Sequence, residues 1–186
     1  DQFAKHYLAE FLEAAGQVTV NGEISSEPHH ADLCFQPNSA SHLPSLGLLG
    51  EMVATTCLLE PFRKPPTSTE IRTGLLKLVA WQSELQRQLA KAKQPLLAEI
   101  ALPRLWILAT SASQTLIEEF GGQLRPPPWD EGVYFLAAGL KTAIVSINRL
   151  PRTPDTLWLR LLGKGTVQQQ AITELLALPT THPLRQ

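Results

Sequence analysis

Charge of one sign is not in excess in this sequence: 16 Lys and Arg stand against 17 Asp and Glu, a net charge of −1. Affinity for nucleic acid comes mainly from neutralised phosphates, so a protein whose whole surface grips nucleic acid is excluded, while a local basic patch is not. No apolar run approaches the roughly 20 residues of a membrane span, and no membrane partner is expected. Only two cysteines are present, Cys34 and Cys57, both within apolar runs. The expectation is two buried, reduced thiols in a cytoplasmic protein rather than a disulfide. No Cys/His spacing suits a structural zinc site. No nucleophile elbow, kinase or dinucleotide fingerprint is present, and there is no internal repeat or low-complexity tract. No signal peptide is visible, and the chain opens on Asp1 rather than Met, so native residues can precede it.

What is there is an ordinary apolar fraction of 44% over 186 residues, enough for one domain with a real core. Phe3, Tyr7, Leu8, Phe11, Leu12 and Ala15 recur at helical spacing and predict a helix over 2–15. Strands are expected over 18–24 and 31–35, paired as a hairpin, then a short buried helix over 46–54 and a strand over 55–62. The longest helix is expected over 67–93. Thr67 and Glu70 supply its capping groups, and Ile71, Leu75, Leu78, Val79, Gln82, Leu85 and Leu89 form its inner face. Beyond it the pattern predicts strands over 105–109, 133–136 and 142–149, and helices over 111–120, 156–162 and 166–178. A β-rich beginning followed by alternating helices and strands describes a single α/β domain over 1–186 with a mixed sheet. Three of the four tryptophans lie in apolar elements and are expected in the core.

Two acids interrupt strand-like runs: Asp32 in HHADLCFQP and Glu60 in TTCLLEPFRK. Burying a carboxylate without a partner is costly, so each needs a reason. If the two strands pair, the carboxylates fall on one face, where a divalent cation with oxygen preference would relieve their repulsion. The alternative is that each acid pairs with an Arg or a backbone donor. His29 and His30 precede Asp32, but adjacent side chains of an extended segment point oppositely and are not expected to share an ion. Gly163-Lys164-Gly165-Thr166 is half a phosphate loop. Trp158 holds the place of the required earlier glycine, and a turn with Thr166 as N-cap is expected instead. Arg149, Arg152, Arg160 and Lys164 against Asp155 make this the most basic segment, either a solvated surface or a site for phosphate or an acidic partner.

The order helix, strand, strand with Asp32, strand with Glu60, long helix, strand resembles the core of the PD-(D/E)XK, restriction-endonuclease-like superfamily, over about residues 2–110. Through the runs EPFRKPP, PRLWIL and LPRTPDTLWLRLLGKGTVQQQAI, the chain as a whole resembles a group of cyanobacterial proteins of undefined function. The nuclease resemblance implies Asp32 and Glu60 as metal-binding acids, with Glu10 or Glu23 as the additional early acid. It also implies Mg²⁺ as cofactor and nucleic acid as partner. The superfamily places a Lys two residues after the second acid, and here that residue is Phe62. Lys64, returning to the face of Glu60, or Lys77 on the long helix are the candidate substitutes. The implied function is a Mg²⁺-dependent endonuclease or a relative that binds nucleic acid without cutting. The alternative is a non-enzymatic protein-interaction module on the same fold, favoured by the low charge, by Phe62 and by the Gln-rich C-terminal helix. That helix and Trp158 also suggest a homodimer, through Val167, Ala171, Ile172, Leu175 and Leu176.

Overall fold

A computed structural model describes residues 32–37, 43–129 and 131–179. The helix expected over 2–15 and the strand over 18–24, with Glu10 and Glu23, lie outside the described residues, as do His29 and His30. The strands described are β1 (Leu33–Phe35), β2 (Cys57–Phe62), β3 (Arg104–Ala109), β4 (Val133–Phe135) and β5 (Thr142–Ser146). The α-helices are α1 (Leu48–Met52), α2 (Ser68–Lys91), α3 (Gln114–Glu119), α4 (Leu157–Arg160) and α5 (Thr166–Ala177). The strands form one mixed sheet in the order β1-β2-β3-β5-β4. Strands β2, β3 and β5 run parallel, while β1 and β4 are antiparallel at the two ends. Helices flank the sheet, as the α/β pattern requires.

The sheet separates two cores because strand side chains alternate between faces. On one face Leu58, Leu105, Ile107, Tyr134 and Ile144 meet Ile71 and Leu78 of α2 and Leu116 and Ile117 of α3. On the other, Cys57, Trp106, Leu108, Val133, Phe135 and Val145 meet Leu48 and Met52 of α1 and Leu159 of α4. Trp106 is the largest fully buried side chain. Its indole N–H donates to the Met52 carbonyl at 2.8 Å, and Trp129 stacks against it with ring centroids 5.3 Å apart.

The long helix starts where its capping box directs. The Glu70 N–H donates to Thr67 Oγ1 at 3.2 Å, and the Thr67 N–H donates to Glu70 Oε2 at 2.7 Å. The Thr67 N–H and the Thr67 hydroxyl, both donating to Oε2, hold the Glu70 carboxyl below its usual range. Helix α2 can approach the sheet because Gly74 faces β3, where an added Cβ would stand 3.2 Å from Leu105. Four expectations are corrected. Val79 is 53% exposed, because it lies one residue beyond the buried Leu78 and so turns about 100° toward solvent. The strand expected over 142–149 stops at Ser146, where the chain turns into a short 3₁₀ segment and the Asn148 N–H bonds the Thr110 carbonyl. Helix α5 begins at Thr166 behind Gly165 at φ +63°, so Thr166 is its first residue rather than its cap. Cys34 is exposed on the terminal strand, whereas Cys57 is buried and its thiol is pushed up to about 11, chiefly by that burial. Both thiols are free.

Candidate functional site

Strand β2 reads CLLEPF, and its alternation sends Leu58, Glu60 and Phe62 to the α2 face. Glu60 thereby enters a face otherwise built from Leu58, Ile107 and Ile71, and it is 3% exposed. The register explains how β1 reaches it. Leu33, Cys34 and Phe35 pair with Leu59, Leu58 and Cys57, so Asp32, one step earlier, arrives opposite Glu60.

Among the described residues the carboxylate of Glu60 holds two donors. The Asp32 backbone N–H reaches Oε1 at 3.2 Å, and Lys77 Nζ on α2 reaches Oε2 at 2.8 Å. Both partners of the ion pair are largely withdrawn from solvent, with side-chain exposures of 5% for Glu60 and 13% for Lys77. A carboxylate offers about four lone-pair positions, so two remain. Asp32 itself is exposed at the start of the terminal strand.

Of the residues singled out in the sequence, the structure therefore brings together Asp32, Glu60 and Lys77. It does not bring Lys64 to them: Lys64 is an exposed side chain 3.5 Å from Glu70. Strand β2 ends at Phe62, so the alternation that would have returned Lys64 to the face of Glu60 no longer applies. Among the described residues no three His, Cys, Asp or Glu side chains converge on one point.

The basic segment is also divided by the fold. Arg160 is completely buried rather than part of a charged surface. Its guanidinium donates to Glu174 Oε1 at 2.9 Å and Oε2 at 2.5 Å, to the Thr153 carbonyl at 2.9 Å and to Thr156 Oγ1 at 3.0 Å. The sequence signal for this network is a Thr and an Arg four residues apart inside the apolar run TLWLR, one helical turn from each other. Arg149 turns elsewhere, donating to the Tyr134 hydroxyl at 3.0 Å. In the half phosphate loop, the Lys164 backbone N–H is engaged by Asn148 Oδ1 at 3.3 Å.

Compared with family models, curated proteins and solved structures, the chain matches none.

Proposed function

We propose that this chain is a PD-(D/E)XK-like domain in which Asp32, Glu60 and Lys77 act on the phosphodiester of a nucleic acid with Mg²⁺. The observation that carries the reading is the Asp32 backbone N–H on the Glu60 carboxylate, which sets Asp32 opposite Glu60, with the Lys77 amine 2.8 Å from Glu60. The donor set suits the ion. Mg²⁺ is commonly held by one or two carboxylates together with waters and substrate phosphates, and Glu60 keeps lone pairs free while Asp32 is exposed. Bound there, it would supply charge neutralisation and a more acidic water. Lys77 takes the task that Phe62 cannot perform. Its ammonium aligns Glu60 and adds positive charge where a phosphoryl group would gather negative charge. Reaching the site from a helix rather than from β2 gives the same charge by a different route through the fold.

Melting the protein with and without Mg²⁺ or Mn²⁺ tests this. A ligand that binds only the native state raises the melting temperature. The wild type is expected to shift upward, Asp32→Ala to lose the shift, and Lys77→Met to lose cleavage of DNA or RNA. A wild type that melts identically with either cation and with chelator, and that leaves both nucleic acids intact, refutes the metal site. That outcome supports a second reading, a non-enzymatic interaction module on the same fold. One observation favours it: the buried Glu60 is already paired with Lys77.

A further inference from the structure

We propose that Arg104 and Arg125, bordering the aromatic cluster of Phe135, Trp129 and Trp106, form a phosphate-binding site on the sheet face opposite Glu60. Arg104 is the first residue of β3. Its cross-strand partner is Cys57, and Trp106 follows two residues on, so alternation puts it on the α1 face. Along the next row of that face Trp106 aligns with Ala143, and Ala143 with Phe135. The small Ala143 lets the Trp106 and Phe135 rings approach to 5.8 Å, and Trp129 lies 5.0 Å from Phe135. Arg125 arrives from the loop before β4 and holds its guanidinium carbon 4.1 Å above the Phe135 ring centroid. Arg104 and Arg125 therefore share the sheet face that carries these rings.

Neither arginine has an acid partner among the described residues, whereas Arg72, Arg87 and Arg160 are each paired with a glutamate. The strand beside Arg104 adds Lys141, whose carbonyl receives the Leu105 N–H. The acid at that end, Glu99, is bound to Lys141 at 3.6 Å. Arg104 is half-buried, and that burial followed by the charge of Arg125 pulls its guanidinium below the usual arginine range. Guanidinium stays protonated in proteins, so both positive charges persist, and an anion between them would relieve their repulsion. Two planar donor forks match the oxygens of a phosphate better than they match a spherical ion such as chloride. A cleft of about 280 Å³ opens on the far side of Arg125 from Arg104, lined by Phe120, Leu124, Arg125, Phe135 and Leu136 but not by Arg104, so of the two arginines Arg125 alone reaches it. The phosphate can belong to a nucleic-acid backbone or to a free phosphate ester.

The full chain is melted in chelator, in inorganic phosphate and in chloride of equal ionic strength, and titrated against a short fluorescent single-stranded DNA. Phosphate is expected to raise the wild-type melting temperature above that in chloride. The shift should vanish in Arg104→Gln/Arg125→Gln and shrink in Arg125→Gln, whose side chain is exposed and whose loss leaves the fold intact. In chloride the double variant should melt above the wild type, because the repulsion is gone. Loss of one charge-assisted hydrogen bond weakens binding roughly tenfold, so removing both guanidinium groups is expected to weaken it roughly a hundredfold. A loss of that size for DNA in the double variant assigns the phosphate to nucleic acid. A phosphate shift with DNA binding unchanged assigns it to a free ester. The proposal is overturned if phosphate acts no differently from chloride on the wild type, or if its effect survives in the double variant. Asp32→Ala should respond to phosphate like the wild type, so failure of the metal site and failure of this one are told apart.

Discussion

Glu60 and Arg160 are both buried charges facing one partner of opposite sign, yet their surroundings differ in what they leave unused. Arg160 directs hydrogen bonds to Glu174, Thr153 and Thr156, four in all, from a group that has five N–H donors. Its partner Glu174 is 41% exposed and stays wet. Among the described residues Glu60 accepts from two donors, and its partner Lys77 is largely withdrawn from solvent beside it. A charge surrounded by nearly all the partners it can take holds neighbouring elements together, here α4, α5 and the turn at Thr153. A charge with spare lone pairs at the end of a sheet can accept a further ligand. By that contrast the proposed metal site rests on Glu60 and not on the more heavily bonded Arg160.

The sharpest way to break this contrast is to remove the cation from each pair in turn. Lys77→Met leaves the Glu60 carboxylate buried with one backbone donor. Breaking a buried pair in this way costs about 3–5 kcal/mol, read as a lower urea midpoint at neutral pH. Arg160→Met frees a carboxylate that can turn to water, so the expected loss is smaller, about 1.5–3 kcal/mol for charged hydrogen bonds not remade. If Arg160→Met proved the more damaging, the reading of Glu60 as the less satisfied charge would be wrong.

A subtler effect lies in the acid limb. The hydrogen bond from Arg160, then its charge and that of Arg152, hold the Glu174 carboxyl below its ordinary value of 4.5. A carboxyl lowered on folding adds stability that is complete above the unfolded value and disappears as pH falls through the folded one. The stability difference between wild type and Glu174→Gln should therefore be constant near neutrality and shrink below pH 4.5. A difference that grew on acidification would contradict the assignment.

The smallest perturbation uses the two thiols, which β1 and β2 carry on opposite faces of the sheet. Cys34 pairs in register with Leu58 and Cys57 with Phe35, so alternation separates them. Iodoacetamide should label Cys34 in the native protein and reach Cys57 only on unfolding, since burial and a raised thiol pKa both suppress its thiolate. Rapid labelling of Cys57 would mean that β1 lifts from β2, which would also separate Asp32 from Glu60.

The sequence alone determined what depends on near neighbours. Helix α2 was legible because Thr67 and Glu70 cap it locally and Ile71 and Leu78 repeat at its period. Strand β2 was legible from its β-branched approach and the prolines beyond it. Glu60 was marked as needing a partner by its apolar run, and Asp32 and Lys77 were both named as candidates to join it. Which cation joined it was a tertiary decision. Lys64 is closer to Glu60 in the chain, but β2 ends at Phe62 and leaves Lys64 beside Glu70. Lys77, 17 residues away, is laid across β2 by the crossover helix that links two parallel strands. The same holds for Arg160, which reads as one of four basic residues in a row of turns until α4 and α5 pack and enclose it with Glu174. Hydrogen bonds within a turn and the period of apolar residues are short-range and can be read along the chain. The partner of a buried charge is chosen by the distances that chain crossovers create, and those exist only once the sheet and its helices have assembled.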